Sequence, residues 1–169
     1  MDEKRPPAEG TVTVEEATEQ VKLMARRMAM MYHHIGQVLV ERLGQDQAKE
    51  ILRESIKRYG NECGEMVRQR VLAMGLPLTA ENFEKVPDLP KYGWETEWAF
   101  DEKGVARPRV THCPLAAVWL EKGSAELGRL YCGVDQAKYE SYGGLSCVHR
   151  KNLLDGDGQC LFAIGEKQG

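Results

Sequence analysis

The chain has 169 residues and 19.0 kDa, is 42% hydrophobic and 29% charged, and carries 23 basic against 26 acidic side chains, a net charge of −3. That length makes one domain, or one domain with an arm, able to bury about two-thirds of its unfolded surface. The charge balance excludes a general phosphate-backbone binder, so no nucleic-acid partner is expected. No apolar run nears the roughly 20 residues of a membrane helix; with no apolar segment in MDEKRPPAEG either, a cytoplasmic protein without a membrane partner is expected.

Residues 1–12 are polar, with Pro6, Pro7 and Gly10, and are expected to form a flexible arm. A single α+β domain over 13–169 follows. Thr11 or Thr13 caps a first helix with Glu15 and Glu16 in its first turn. The stripe Val21, Met24, Met28, Met31, Ile35, Val38 has helical spacing, and Leu43-Gly44 ends it. A second helix runs from about Asp46 to Met74. Gly60 and Gly64 lie one turn apart inside it, each costing about 1 kcal/mol against alanine. They predict close approach of a backbone or ligand, or else a break near residue 60. The short link makes 13–75 an antiparallel helical hairpin.

Residues 76–92, with Pro77, Pro87 and Pro90, read as a linker containing a short helix at 79–85. From 93 to 166 the period changes. Trp94, Thr96, Trp98 and Phe100 alternate with Glu95 and Glu97 as a strand whose aromatics belong to the sheet core. A turn at 101–104 leads to a second strand, 105–112. Cys113-Pro114 opens a short helix, Leu115 to Glu121, and Ser124 caps another that ends near Tyr142-Gly143-Gly144. Leu145–Leu153 and Gln159–Ile164 form a hairpin around Asp155-Gly-Asp-Gly158, a turn rather than a calcium loop. The order α-α-β-β-α-α-β-β predicts the helical hairpin packed with an antiparallel sheet of about four strands.

The chemistry concentrates late in the chain. Five cysteines, Cys63, Cys113, Cys132, Cys147 and Cys160, contain no C-x-x-C spacing and form no even disulfide framework. A hairpin centred on 156–157 places Leu153 opposite Cys160, Lys151 opposite Phe162 and His149 opposite Ile164. Cys147, His149, Lys151, Cys160, Phe162 and Ile164 then share one face, either as site groups or as small core residues. Cys132 and Asp135 are three apart on one helix face. The carboxylate would raise the thiol's pKa, so metal binding or acid work suits the pair better than nucleophilic attack. Cys113 at a helix N-terminus is the best nucleophile position in the chain, because free N–H groups favour its thiolate. Cys113, Cys132, His149 and Cys160 are the candidate ligands if zinc is bound, a cofactor the spacing does not establish. His33 either lines a pocket or is a structural histidine. The Met24/Met28/Met31 stripe is a core stripe or a homodimer surface.

Three stretches resemble the L-2-amino-thiazoline-4-carboxylic acid hydrolase family. They are YHHIGQVLVERLGQDQAKEILRESIKRYGNECGEMVR, then Cys113-Pro114 with LYCGVDQA, then DGDGQCLFAI. Together they span about residues 20–165. The final G-D-x-x-C-x-F pattern is also similar to vinyl-reductase-type ligand-binding domains. The first resemblance implies a hydrolase that opens a cyclic isothiourea to N-carbamoyl-L-cysteine, with a small-molecule substrate and thiol- or metal-assisted attack. Its matching positions are Cys113, Cys132, Asp135 and Cys160, to which hairpin parity adds His149. His33 and Arg150 are expected at the substrate, Arg150 or Lys151 as the cation for its carboxylate. The second resemblance implies the alternative, a non-catalytic small-molecule or metal-binding sensor domain.

Overall fold

The computed structural model describes residues 10–86, 88–90, 92–103 and 105–166. The arm expected over 1–12 therefore lies, up to residue 9, outside the described residues. Helix α1 spans Val14–Leu43 and starts at a capping box. Glu16 N–H donates to Thr13 Oγ1 (3.1 Å), and Thr13 N–H donates to the Glu16 carboxylate (2.9 Å). Gly44, at φ +78, turns the chain directly into α2, Gln45–Ala73. A short α3, Ala80–Glu84, lies in the expected linker.

The buried face of α1 is not the predicted stripe. Met24 (64% exposed), Met31, Ile35 and Val38 face outward, and Ala25, Ala29, Tyr32 and Gly36 face the core. Small residues let α4, Pro114–Glu121, come close. The buried Trp119 indole donates to Ala29 O (3.1 Å), and a Cβ at Gly36 would stand 3.2 Å from Leu127. Close approach to a large aromatic outweighs the flexible methionines, which are left at the surface.

The glycine pair in α2 marks the closest helix contact. The helix is unbroken there. A Cβ on Gly60 would stand 2.7 Å from Val134 O, and one on Gly64 2.2 Å from Lys138 O. Both oxygens belong to α6, Gly133–Gly143. The single helix expected after Ser124 is in fact two, α5 (Ala125–Tyr131) and α6, meeting at Cys132. Cys132 N–H still bonds Gly128 O (3.4 Å), while Asp135 N–H turns back to Cys132 O (3.4 Å). The tighter bond bends the chain and re-aims the start of α6.

The sheet has four antiparallel strands in the order β1-β2-β4-β3. They are β1 (Glu95–Glu97), β2 (Arg109–His112), β3 (Leu145–Lys151) and β4 (Cys160–Glu166). The first two are shorter than the sequence predicts: a register shift interrupts β1, and beyond it Phe100 joins Ala106 only by an isolated bridge. Phe100 is 41% exposed, not core, and Trp98 is partly buried.

Two apolar clusters result. One joins α2, α3, α6, β3 and β4 around Val67, Phe83, Tyr142 and Ile164. The other joins α1, α2, α4 and α5 around Ala29, Leu52, Trp119 and Leu154. Among the described residues no helix is long and apolar enough to cross a membrane.

Candidate functional site

Polar side chains collect where the two clusters meet. Cys113 and Cys132 pack on the second cluster, and Cys147 and Phe162 on the first. Asp135 lies among them. It is within electrostatic reach of all of Cys113, Cys132, Cys147 and Cys160.

The bend at Cys132 aims the first turn of α6 at β3. Gln136 Oε1 accepts from the Cys147 N–H (3.2 Å) and ties the strand to the helix. One Asp135 oxygen is then 3.3 Å from Lys138 Nζ and the other 3.3 Å from His149 Nε2. The Nε2 contact is not aligned as a hydrogen bond, so this buried nitrogen has no direct partner. Lys138, only 8% exposed at its side chain, also donates to Asp88 (2.6 Å). Asp88 and Asp135 thus flank one buried ammonium. Burial acts to protonate Asp135, but Lys138 and His149 together hold its carboxyl below the ordinary value. Burial likewise opposes the charge on Lys138, yet Asp135, Tyr139 and Asp88 keep its pKa well above the ordinary lysine value.

Asn152, 1% exposed, is the residue that sequence reasoning missed. Its Oδ1 accepts from the Leu154 N–H (2.9 Å), and its Nδ2 is 3.0 Å from His149 Nδ1. The same side chain favours the thiolate of Cys132. Its backbone N–H donates to Asp157 Oδ2 (2.8 Å), which locks the turn between β3 and β4.

The hairpin places His149 opposite Phe162 and Cys147 opposite Ile164. This is a two-residue slide from the predicted pairing, which keeps side-chain parity. His149 stacks edge-on against Phe162, with ring centroids 4.4 Å apart. The slide arises because the connection is not a tight turn. It contains a 3-10 turn, Leu153–Asp155, capped by Asn152, and Gly156 at φ +89. A bulge between His149 and Lys151 removes Lys151 from the shared face and leaves it exposed.

The cysteines are not activated thiolates. The amides of Ala116 and Leu115 and the Trp94 indole favour ionisation of Cys113, as its helix-start position predicts. Burial outweighs them and raises its pKa. Burial pushes Cys132 up to about 12, with Asp135 adding to the shift. Burial also raises Cys147 and Cys160. All four are neutral thiols at pH 7. The Cys160 sulfur accepts from the Leu153 N–H (3.4 Å).

Among the described residues, no three His, Cys, Asp or Glu side chains converge as metal ligands would. The zinc set Cys113, Cys132, His149 and Cys160 is not assembled. Its imidazole is turned to Asn152 and Asp135. Two further expectations lie elsewhere. Arg150 is exposed on the opposite face of β3 from His149. His33 is buried beside His34 and within reach of Lys122, at the far end of α4 from Cys113. Arg129 is the cation that reaches Cys132 and Cys160. Its Nε holds Asp155 (3.0 Å), leaving both terminal amino groups without a protein partner among the described residues.

Residues 24–164 match the sequence pattern of the L-2-amino-thiazoline-4-carboxylic acid hydrolase family. No curated protein matches the chain. Among solved structures it is similar to a trafficking protein particle complex subunit 3 from Naegleria fowleri, covalently bound to palmitic acid. The identity is 18% and the TM-score 0.54, over 87% of this chain and 97% of the other, a likeness of fold.

Proposed function

Because the chain belongs to the L-2-amino-thiazoline-4-carboxylic acid hydrolase family, we propose that it hydrolyses a small cyclic isothiourea of that kind at the Asp135–His149 pair. The observation that carries this reading is the pair itself: an ionised carboxylate held 3.3 Å from an imidazole nitrogen that has no other partner among the described residues. Water attacks the ring carbon between sulfur and nitrogen. Its proton passes to Asp135, which Lys138 keeps ionised and ready to accept it. The ring C–S bond then breaks as the added hydroxyl becomes the carbonyl: sulfur leaves with its bonding pair toward the His149 Nε2–H and takes the proton held by Asp135, and the hydroxyl proton passes to the ring nitrogen, so the pair ends as it began. One water is consumed, and the product from 2-amino-thiazoline-4-carboxylate is N-carbamoyl-cysteine. The neutral thiols of Cys113, Cys132 and Cys160 line the site rather than attack. Arg129, whose terminal amino groups have no protein partner among the described residues, binds the substrate carboxylate, the role expected of Arg150.

Incubation of purified protein with L-2-amino-thiazoline-4-carboxylate, with and without added zinc or manganese, tests this. N-carbamoylcysteine formed above a heat-inactivated control is the expected result. Native protein that forms none under any condition would overturn the reading.

One observation favours a second reading, a non-catalytic binding module: the fold is shared with a subunit that carries covalent palmitate. Against an acyl chain beside Asp135 stand the charges buried there, Asp88, Lys138 and Asp135. An intact mass raised by one palmitoyl group, with no turnover, would select that reading.

A further inference from the structure

We infer that Asn152 is a positioning residue that fixes the tautomer of His149 and thereby assigns the two members of the pair their roles. The Leu154 N–H can only donate, and it meets an Asn152 side-chain atom at 2.9 Å. That atom is therefore the amide oxygen, and the other terminus is the NH₂ group. The NH₂ group stands 3.0 Å from His149 Nδ1 and can only donate to it. Nδ1 is then an acceptor with no proton, so the neutral imidazole carries its hydrogen on Nε2. Nε2 is the nitrogen turned toward Asp135, 3.3 Å away.

The consequence is directional. With Nε2 protonated, His149 offers a hydrogen-bond donor into the site and Asp135 is the group that can receive a proton. Asn152 is fixed in turn by its own surroundings. It is 1% exposed, its backbone N–H is held by Asp157 Oδ2 (2.8 Å), and it caps the turn that follows β3. The aspartate of the Gly-Asp-Gly turn thus acts on the histidine through the asparagine. The catalytic part of this inference rests on the hydrolase reading; the tautomer does not.

The test is a long-range ¹H–¹⁵N correlation spectrum of the full-length protein labelled at histidine, recorded at a pH where His149 is neutral. His149 is assigned by its loss in His149→Gln. The wild type is expected to show the Nε2–H pattern. Asn152→Asp keeps the shape and the acceptor for Leu154 N–H but removes the donor. It is expected to move His149 to the Nδ1–H form or to the doubly protonated ring. A wild-type spectrum in the Nδ1–H form would overturn the inference, and needs no variant to fold. An unchanged Nε2–H pattern in Asn152→Asp would overturn it as well. If the hydrolase reading alone fails, the spectra still show the Nε2–H form and no substrate is turned over.

Discussion

Among the described residues, two histidines each leave one buried ring nitrogen without a hydrogen-bond partner: Nδ1 of His33, on α1, and Nε2 of His149, on β3. Their surroundings differ in sign. Burial first, then His34 and Lys122, lowers the pKa of His33, so this imidazole is held neutral next to positive charge. His149 instead faces a carboxylate and is oriented from behind by an amide. An unpaired buried nitrogen by itself does not mark a site. What marks it is a group beside it that can take or receive a proton, and a second group that fixes which one.

Removing each histidine tests that contrast most strongly. His149→Ala should lower the hydrolysis rate by about 10²–10³-fold, the range for a hydrogen-bond donor aimed at developing charge, while His33→Gln should leave it within about 3-fold. Steady-state kinetics on folded protein checks both.

Next in size is the buried ammonium. Lys138→Met strands Asp88 and Asp135 without a cation and should cost roughly 3–5 kcal/mol in urea unfolding. The same pair predicts a pH dependence. The folded pKa of Asp135 is depressed, so its contribution is fully present above the unfolded value near 3.8 and is lost as pH falls below that, through the folded value. Wild type should lose stability on that acid limb, and Asp135→Asn should show a flatter one.

Gly64→Ala would press a methyl group to within 2.2 Å of Lys138 O. A backbone oxygen cannot swing aside, so a loss of about 1–3 kcal/mol is expected, at the upper end of that range. Gly133→Ala, where a Cβ meets nothing within 4 Å, is the control. The smallest expected effect separates the two arginines. Arg129→Ala should raise KM about 10-fold, the loss of one charge-assisted contact of about 1.4 kcal/mol, with kcat little changed. Arg150→Ala should alter neither.

The comparison also shows where the sequence was legible. Alternation along β3 and β4 put Cys147, His149, Cys160 and Phe162 on one face, and a two-residue slide left that intact because parity survives even shifts. Gly60 and Gly64 announced a close backbone contact, and α6 supplied it. The methionine stripe of α1 misled, since periodicity finds two apolar faces on that helix and cannot rank alanines against methionines when the partner is a tryptophan. Lys138 is a charged residue that the pattern assigns to solvent. Only tertiary contact brings Asp88 to it from 50 positions away. Asn152 had a weak signal, an asparagine ahead of a turn, but its donor role depends on the Leu154 amide. Cys113 shows the same limit, because burial cannot be read from its position at a helix start. The helix-start amides are there, and burial is larger.

The most direct test of the account compares Asp135→Asn with Cys113→Ala, each shown to be folded by circular dichroism, in the hydrolysis of 2-amino-thiazoline-4-carboxylate. Water attack assisted by the carboxylate predicts a loss of at least about 100-fold in Asp135→Asn and retention within about 10-fold in Cys113→Ala, where only a neutral lining thiol is lost. Abolished turnover in Cys113→Ala, with Asp135→Asn still active, would contradict it and make the thiol the nucleophile.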